Sequence, residues 1–282
     1  MKGFLKICAV GLCVAVAATM FAACGGNGND NVTIKVSGSS SVTPLMEALA
    51  AKYEELNDNI TIMINSSDSS SGVKDAIDGT SHIGMASRKL KDSETQQGVT
   101  GTKICTDGIA CIVNTANTDL TNVTGEQLYA LYISGTALSS SVNKGITREA
   151  GSGTRDGFDG LVVNASGDTL KEKTFANVIS EANSTTAVVT AVKSDASKFG
   201  YISFGSVTND VKVLTFEGVA PSEQTIKDGS YRMQRDFTVA VNQNLKEKEG
   251  ETVADAVDAF IQWILESDAA HAIITEKGCV NL

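Results

Sequence analysis

The stretch Arg148-Glu149-Ala150-Gly151-Ser152-Gly153-Thr154-Arg155 holds the densest set of groups able to grip a ligand. A guanidinium is a planar fork of donors that matches the oxygens of a phosphate-like group, and here two of them flank a run of small residues. Ser152 and Thr154 add hydroxyls, while Gly151 and Gly153 carry no Cβ to hold a guest away from the backbone. The apolar residues Phe158, Leu161 and Val162 that follow predict a helix opening at this loop. A helix N-terminus exposes unpaired N–H groups and about half a positive charge, both favourable to an anion. The combination suits an oxyanion cradle, although a polar capping turn has the same composition.

The elements that must position this loop repeat one grammar. Val32-Thr33-Ile34-Lys35-Val36 alternates as a strand and runs into Ser37–Ser41. A helix then starts near Pro44, with Leu45, Met46, Leu49, Tyr53 and Leu56 on its apolar face. A second strand, Ile60–Ile64, enters the cluster Ser66–Gly72, and a helix from about Val73 to Asp78 follows. A third strand, His82–Ala86, ends at Ser87-Arg88. Strands are also expected at Asp107–Val113, Gly200–Phe204 and Phe237–Val241. Helices are expected at Thr124–Leu131 with Thr124 as cap, at Thr185–Lys193, through Val257–Leu265, and from about Ala269. This is the order of an α/β protein with open, mostly parallel sheets, in which ligands bind beyond the carboxyl ends of the strands. One serine cluster at a strand-to-helix turn is usually a helix cap. Several at the same sheet edge converge on one cleft, rich enough in donors to replace the hydration shell of a small anion.

The chain has 282 residues, enough for one large domain or two medium ones. Its formal charge is −10, and losing Lys2 and Lys6 with a leader would take it to −12. That balance argues against nucleic acid as a partner, since such binding leans on a basic surface. Lys2 and Lys6 precede an apolar run from Ile7 to Ala23, the pattern of a secretory signal peptide over residues 1–23. Cys24 follows Ala22-Ala23 and begins a polar tether, 24–31, resembling the bacterial lipobox with Phe21 where leucine is usual. The resemblance implies lipidation at Cys24 and anchoring at the extracytoplasmic face of the cell membrane. Cys105, Cys111 and Cys279 match no metal or redox spacing and read as buried thiols.

Several pieces together resemble the phosphate-binding lipoproteins of bacterial phosphate ABC importers, substrate-binding components with a type II periplasmic-binding-protein fold. They are Gly38–Pro44, Ser70–Val73, Ile83–Arg88, Asp107–Ala110, Arg148–Arg155, Gly200–Ser203 and Glu276–Val280, in family order across the mature chain. The resemblance implies a two-lobed clamshell that the chain crosses twice, with lobe 1 at 32–106 plus 238–282 and lobe 2 at 107–237. It implies phosphate contacts at Ser40, Ser41, Ser69 and Ser70 in the first lobe, and at Arg148, Ser152, Gly153 and Thr154 in the second. Some family members place an aspartate at the end of the third strand to accept the ligand's proton; this chain has Ser87 there, with Arg88 beside it. Asp107 is the candidate replacement acceptor. Ser139-Ser140-Ser141 replaces a longer tryptophan-bearing segment of the family. The implied partners are inorganic phosphate and the permease and ATPase subunits of an importer. The protein would act as a monomer, without cofactor or metal.

Rival readings come from other classes. Ser71-Gly72-Val73-Lys74 fits the Ser-x-x-Lys pattern of serine enzymes, but no Lys-Thr-Gly triplet follows and the pattern arises easily by chance. A surface adhesin or structural lipoprotein would use the serine loops only as caps. Within the binding class, sulfate or molybdate is the alternative ligand.

Overall fold

The computed structural model describes residues 31–282; the expected leader, Cys24 and the tether up to Asp30 lie outside the described residues. Alternation from Val32 produces β1 (Val32–Ser39), which delivers the chain into the first serine cluster. Pro44 sits in the first turn of α1 (Thr43–Leu56), where its missing N–H has no helical partner to lose, and Leu45, Met46, Leu49 and Tyr53 are buried. β2 (Ile60–Ser67) leads into α2 (Ser69–Asp78), whose cap Asp68 accepts from the Ser71 N–H. β3 (Ile83–Ala86) and the single turn α3 (Asp92–Thr95) precede a long strand, β4 (Val99–Asn114). Then come β5 (Asn122–Val123), α4 (Gly125–Ser134), β6 (Lys144–Arg148), α5 (Gly153–Leu161), β7 (Ile179–Ala182), α6 (Thr185–Ser194) and β8 (Lys198–Ser203). β9 (Val211–Val213), β10 (Thr215–Phe216) and α7 (Glu223–Lys227) lead to β11 (Gln234–Asn242). Helices α8 (Leu245–Glu249), α9 (Glu251–Glu266) and α10 (Asp268–Glu276) close the chain.

The main sheet has the order β2-β1-β3-β11-β4-β8-β6-β7, with β9 also on β4. It is shared by two lobes, and β4 is where it changes hands. Gly108 pairs with Gln234 of β11, whereas the next residue, Ile109, pairs with Ser203 of β8. The parallel pairs join β1 to β2 and β3, and β6 to β7 and β8. Every antiparallel pair of this sheet involves β4 or β11, the strands that travel between lobes. Each side has its own core. Ile34, Val36, Leu49 and Phe237 pack against Val257, Phe260 and Ile264 of α9. Val113, Leu128, Leu131, Tyr132, Phe158 and Tyr201 form the other. With roughly 1.5–3 kcal/mol per buried large apolar side chain, each core is a separate source of stability.

Thr124 caps α4 as the sequence predicts, and α6 and the two closing helices form at the expected places. β4 begins well before the expected Asp107, because Thr100, Thr102 and Lys103 break the apolar pattern while pairing with β11 supplies the hydrogen bonds. β6 and β7 are too short and polar to announce themselves by periodicity. Cys105, Cys111 and Cys279 are free and buried. Among the described residues, no helix is long and apolar enough to cross a membrane.

Helix α2 lies almost on the backbone of the sheet. A Cβ at Gly72 would stand 2.4 Å from the Cα of Gly38 and 2.7 Å from the Ser37 carbonyl oxygen. Backbone cannot swing aside as a side-chain tip can. Gly72→Ala should therefore destabilise the protein by about 1–3 kcal/mol, the usual cost of overpacking, seen as a lower urea midpoint with an unchanged slope.

Candidate functional site

The first turns of α2, α5 and α6, the end of β1 with the loop before α1, and the residue after β3 bring their hydroxyls together at one place. Ser39 and Ser41 are 3% exposed, Ser69 and Ser87 fully buried, and Thr154 1% exposed. These residues reach the same cleft because β1, β2, β3 and β6 each end at it. The Ser39 hydroxyl donates to Ser87 Oγ at 3.0 Å, and Ser87 Oγ lies 3.4 Å from Ser69 Oγ. Ser69 Oγ accepts from the backbone N–H groups of Ser87 at 3.1 Å and Gly153 at 3.2 Å. The Ser41 hydroxyl sits 2.8 Å from Thr154 Oγ1 and 3.1 Å from Thr185 Oγ1. Its N–H donates to Ser39 Oγ at 3.3 Å, which makes the network continuous. Ser40 joins it through Thr185, whose N–H donates to Ser40 Oγ at 3.3 Å. A hydroxyl rotates freely between donating and accepting, so these groups can re-aim at an anion without moving their backbones.

Arg148 is the charge at the centre. Its side chain is 2% exposed. Nε donates to Glu149 Oε2 and Nη2 to Glu149 Oε1, both at 2.7 Å. Nη2 also donates to Ser40 Oγ at 3.1 Å, and Nη1 to Thr185 Oγ1 at 3.4 Å. The backbone beneath is held as firmly. The Arg148 N–H donates to the Tyr201 hydroxyl at 3.1 Å, and its carbonyl accepts from Arg155 Nη1 at 2.9 Å. Tyr201 in turn stacks on Phe158, with ring centroids 3.8 Å apart and planes 6° from parallel. The aromatic core of the second lobe thus fixes the residue that carries the charge.

The loop after Arg148 is shaped for close approach. Ser152 caps α5, its hydroxyl accepting from the Arg155 N–H. A Cβ at Gly153 would lie 2.6 Å from Ser69 Oγ and 2.8 Å from Ser87 Oγ, so only glycine lets the two lobes meet here. Ser70 N–H donates to the Gly151 carbonyl at 3.1 Å. The site residues expected at Ser40, Ser41, Ser69, Ser87, Arg148, Gly153 and Thr154 come together, with Ser70 and Ser152 at the margin.

Two expected residues are committed elsewhere. Asp107 is fully buried in the strand crossing, with Oδ1 accepting from the Ser203 hydroxyl at 2.9 Å and Oδ2 from Arg235 Nη2 at 3.0 Å. Burial pushes its carboxyl up, and the Arg235 guanidinium opposes the shift. Holding a cross-strand ion pair, it does not offer the cradle the free carboxylate expected of a proton acceptor. Arg88 makes a two-pronged pair with Glu94, at 2.8 and 2.7 Å, and its Nε lies 3.2 Å from Asp156 Oδ2. Only its bond to Ser70 Oγ, at 3.1 Å, touches the cradle. The Ser-x-x-Lys residues also part company: the Ser71 hydroxyl donates to Asp68, and Lys74 pairs with Asp78.

Thr185 and Glu149 are the members that sequence reasoning overlooked. Thr185 follows the cap Ser184 and opens α6 with the same strand–polar loop–helix grammar as the other loops. It went unmarked because β7, which delivers it, shows no strand signal and no glycine marks the turn. Glu149 adjoins Arg148 in sequence, yet only the fold shows that it clamps its neighbour.

Comparison with known proteins places these features in context. The PBP superfamily domain matches residues 25–268. A Streptococcus agalactiae protein named phosphate-binding protein PstS 2 is 45% identical over 84 residues, 30% of this chain and only 29% of that protein's length. A Staphylococcus saprophyticus phosphate-binding protein PstS is 28% identical over 91% of this chain and 84% of its own. Among solved structures, a Clostridium perfringens protein is described as a phosphate ABC transporter substrate-binding protein with bound phosphate. It superposes with a TM-score of 0.75 at 29% identity, covering 89% of this chain and all of that one.

Asp159, on α5 behind the cradle, gives a pH-dependent test of this packing. Its carboxyl is pushed up to about 6, first by burial, with Arg155 opposing. The folded protein therefore holds this proton more tightly than the unfolded chain, so stability falls as pH rises from about 4 to about 6 and is level above that. Asp159→Asn should stabilise at pH 7.5 by up to about 3 kcal/mol, and by much less at pH 4.5. Urea melts at the two pH values measure the difference.

Proposed function

The chain belongs to the PBP superfamily, and from that premise we propose that it is a receptor for inorganic phosphate that closes two α/β lobes on the anion. The observation that carries this reading is the continuous network of buried hydroxyls from both lobes, joined to the buried guanidinium of Arg148. Arg148 supplies the positive charge. Ser40, Ser41, Ser69, Thr154 and Thr185 donate hydroxyl bonds, with Ser87, Ser70 and Ser152 behind them. The backbone N–H groups of Gly153 and Thr154, the first residues of α5, add the helix dipole. Glu149 positions Arg148 and is not itself a ligand contact. The names of the relatives support phosphate as the anion and an ABC importer as the recipient.

The remaining assignments belong to the same proposal. The lobes are 32–106 plus 238–282 and 107–237, with the hinge where β4 and β11 cross. Closure would be a hinge motion in which the ligand bridges donors on both sides. The mature chain would be held at the extracytoplasmic face by lipid on Cys24, act as a monomer, and serve a permease and its ATPase without catalysing a reaction. A second reading, a receptor for sulfate or another tetrahedral oxyanion, is favoured by the commitment of Asp107 to Arg235 and Ser203. A carboxylate facing the ligand would penalise a fully deprotonated oxyanion, and hydroxyls alone penalise it less.

Calorimetric titration of the lipid-free mature domain, stripped of anion, decides between them. Tight phosphate binding that survives excess sulfate supports the phosphate receptor; preference for sulfate keeps the cradle and replaces the ligand; silence to both removes the reading. Arg148→Ala should abolish binding. Thr185→Val should weaken it about tenfold, the loss of roughly one charge-assisted hydrogen bond.

A further inference from the structure

Outside the cradle, charge joins the two lobes at one place. Setting aside the crossing strands β4 and β11, two ion pairs among the described residues span the lobes, and Asp156 makes both. Its Oδ2 lies 3.2 Å from Arg88 Nε and 3.8 Å from Lys91 Nζ, both across the cleft on the first lobe. Among the described residues Asp156 pairs with no cation of its own lobe. Its neighbour Arg155 is taken by Asp159 at 3.3 Å and by Glu181 at 3.4 Å. The first lobe holds its half of the contact in place unaided. Glu94 accepts from Arg88 Nη1 and Nη2 at 2.8 and 2.7 Å, and from the Lys91 N–H at 2.8 Å, which fixes the loop after β3. Arg88 Nε and the Lys91 ammonium are left for a partner from outside.

The contact has the character of one that opens and closes. Arg88 Nε is near Asp156 without being aligned for a hydrogen bond. The Asp156 and Lys91 side chains are 41% and 50% exposed, so water can replace each partner at small cost. Both halves also reach the cradle. Arg88 Nη2 donates to Ser70 Oγ at 3.1 Å, beside Ser69, and Asp156 stands in the first turn of α5, which opens with Gly153 and Thr154. On another side, where Ser40 and Thr185 line a groove of about 690 Å³, the one lining cation, Lys193, is paired with Asp210 of the same lobe at 2.8 Å. That rim has no ionic tie between the lobes.

Resting on the phosphate reading and its two-lobed closure, we propose that Asp156 is a closure latch. It is a positioning residue that touches no ligand. By pairing with Arg88 and Lys91 it holds the start of α5, and the donors there, against the first lobe. A contact made on closure has to break before the anion leaves, so it acts on the dissociation rate. As a bare negative charge near the site, the same carboxylate would do the opposite: it would repel a dianion, and its removal would speed capture and slow release. The two roles are told apart by the sign of the change in release.

The test uses inorganic phosphate, the lipid-free mature protein and stopped-flow rates. Asp156→Asn should raise the dissociation rate about two- to fivefold at ~20 mM ionic strength, the range of an exposed pair, and the increase should shrink towards unity at ~500 mM. Asp156→Glu, which keeps the charge, should recover most of the difference. Lys91→Gln should also speed release, but by less when Asp156→Asn is already present, because the two side chains act through one contact. Unchanged or slower release in Asp156→Asn overturns the latch. So does an increase of equal size at both salt concentrations, which would belong to packing, and so does full additivity with Lys91→Gln. Failure of the unaltered protein to bind phosphate is a different result, since it removes the receptor reading itself.

Discussion

A guanidinium buried in the interior has to be satisfied on every side, and Arg148 sets that condition for the structure around it. Leaving such a charge unpaired away from water would cost several kcal/mol. Glu149 answers two of its nitrogens, Ser40 and Thr185 reach it from two different helix starts, and Tyr201 with Arg155 pins the peptide on either side. The stacked Phe158 and Tyr201 rings make that arrangement rigid. What looks like a ligand site is therefore also a requirement of folding. The second lobe's core, the end of β6 and the first turn of α6 must all be in place before the charge can be buried.

The strand crossing imposes a second requirement. Arg235 and Asp107 are directly opposite on β11 and β4, and Ser203 of β8 adds a bond from the other lobe. This neutral, desolvated pair sits where the sheet passes from one set of strands to the other. Burial lowers the Arg235 guanidinium's hold on its proton and raises the Asp107 carboxyl, and each is the main counterweight to the other's shift. In the proposed closure, two continuous strands can bend while preserving such a pair, because the bend is spread over their backbone torsions.

Charge is organised on two scales. The chain is acidic as a whole, which favours solubility, while the cradle relies on the buried Arg148 guanidinium, helix N-termini and hydroxyls. These operate over different distances. The net charge of the chain is felt over about a Debye length, whereas the hydroxyl network acts only at contact.

Much of the site was legible because its chemistry is local. The Arg148–Thr154 run, the serine loops after three strands and the capping residue Thr124 follow from backbone preferences and hydrogen-bond needs over a few residues, and these hold wherever the segment lies. The α/β order and most helices were legible for the same reason, through their apolar spacing. Pairing across the fold was not. The first half of β4 is a strand because β11 lies beside it, and β6 and β7 because a parallel neighbour supplies their hydrogen bonds. Asp107 looked available until Arg235, 128 positions away, was brought opposite it, and Thr185 looked like a helix start until it met Ser40, 145 positions away. Local sequence set the donors and where their helices begin; tertiary packing decided which donors face each other, because long-range register depends on whole sheets and cores rather than on any short segment.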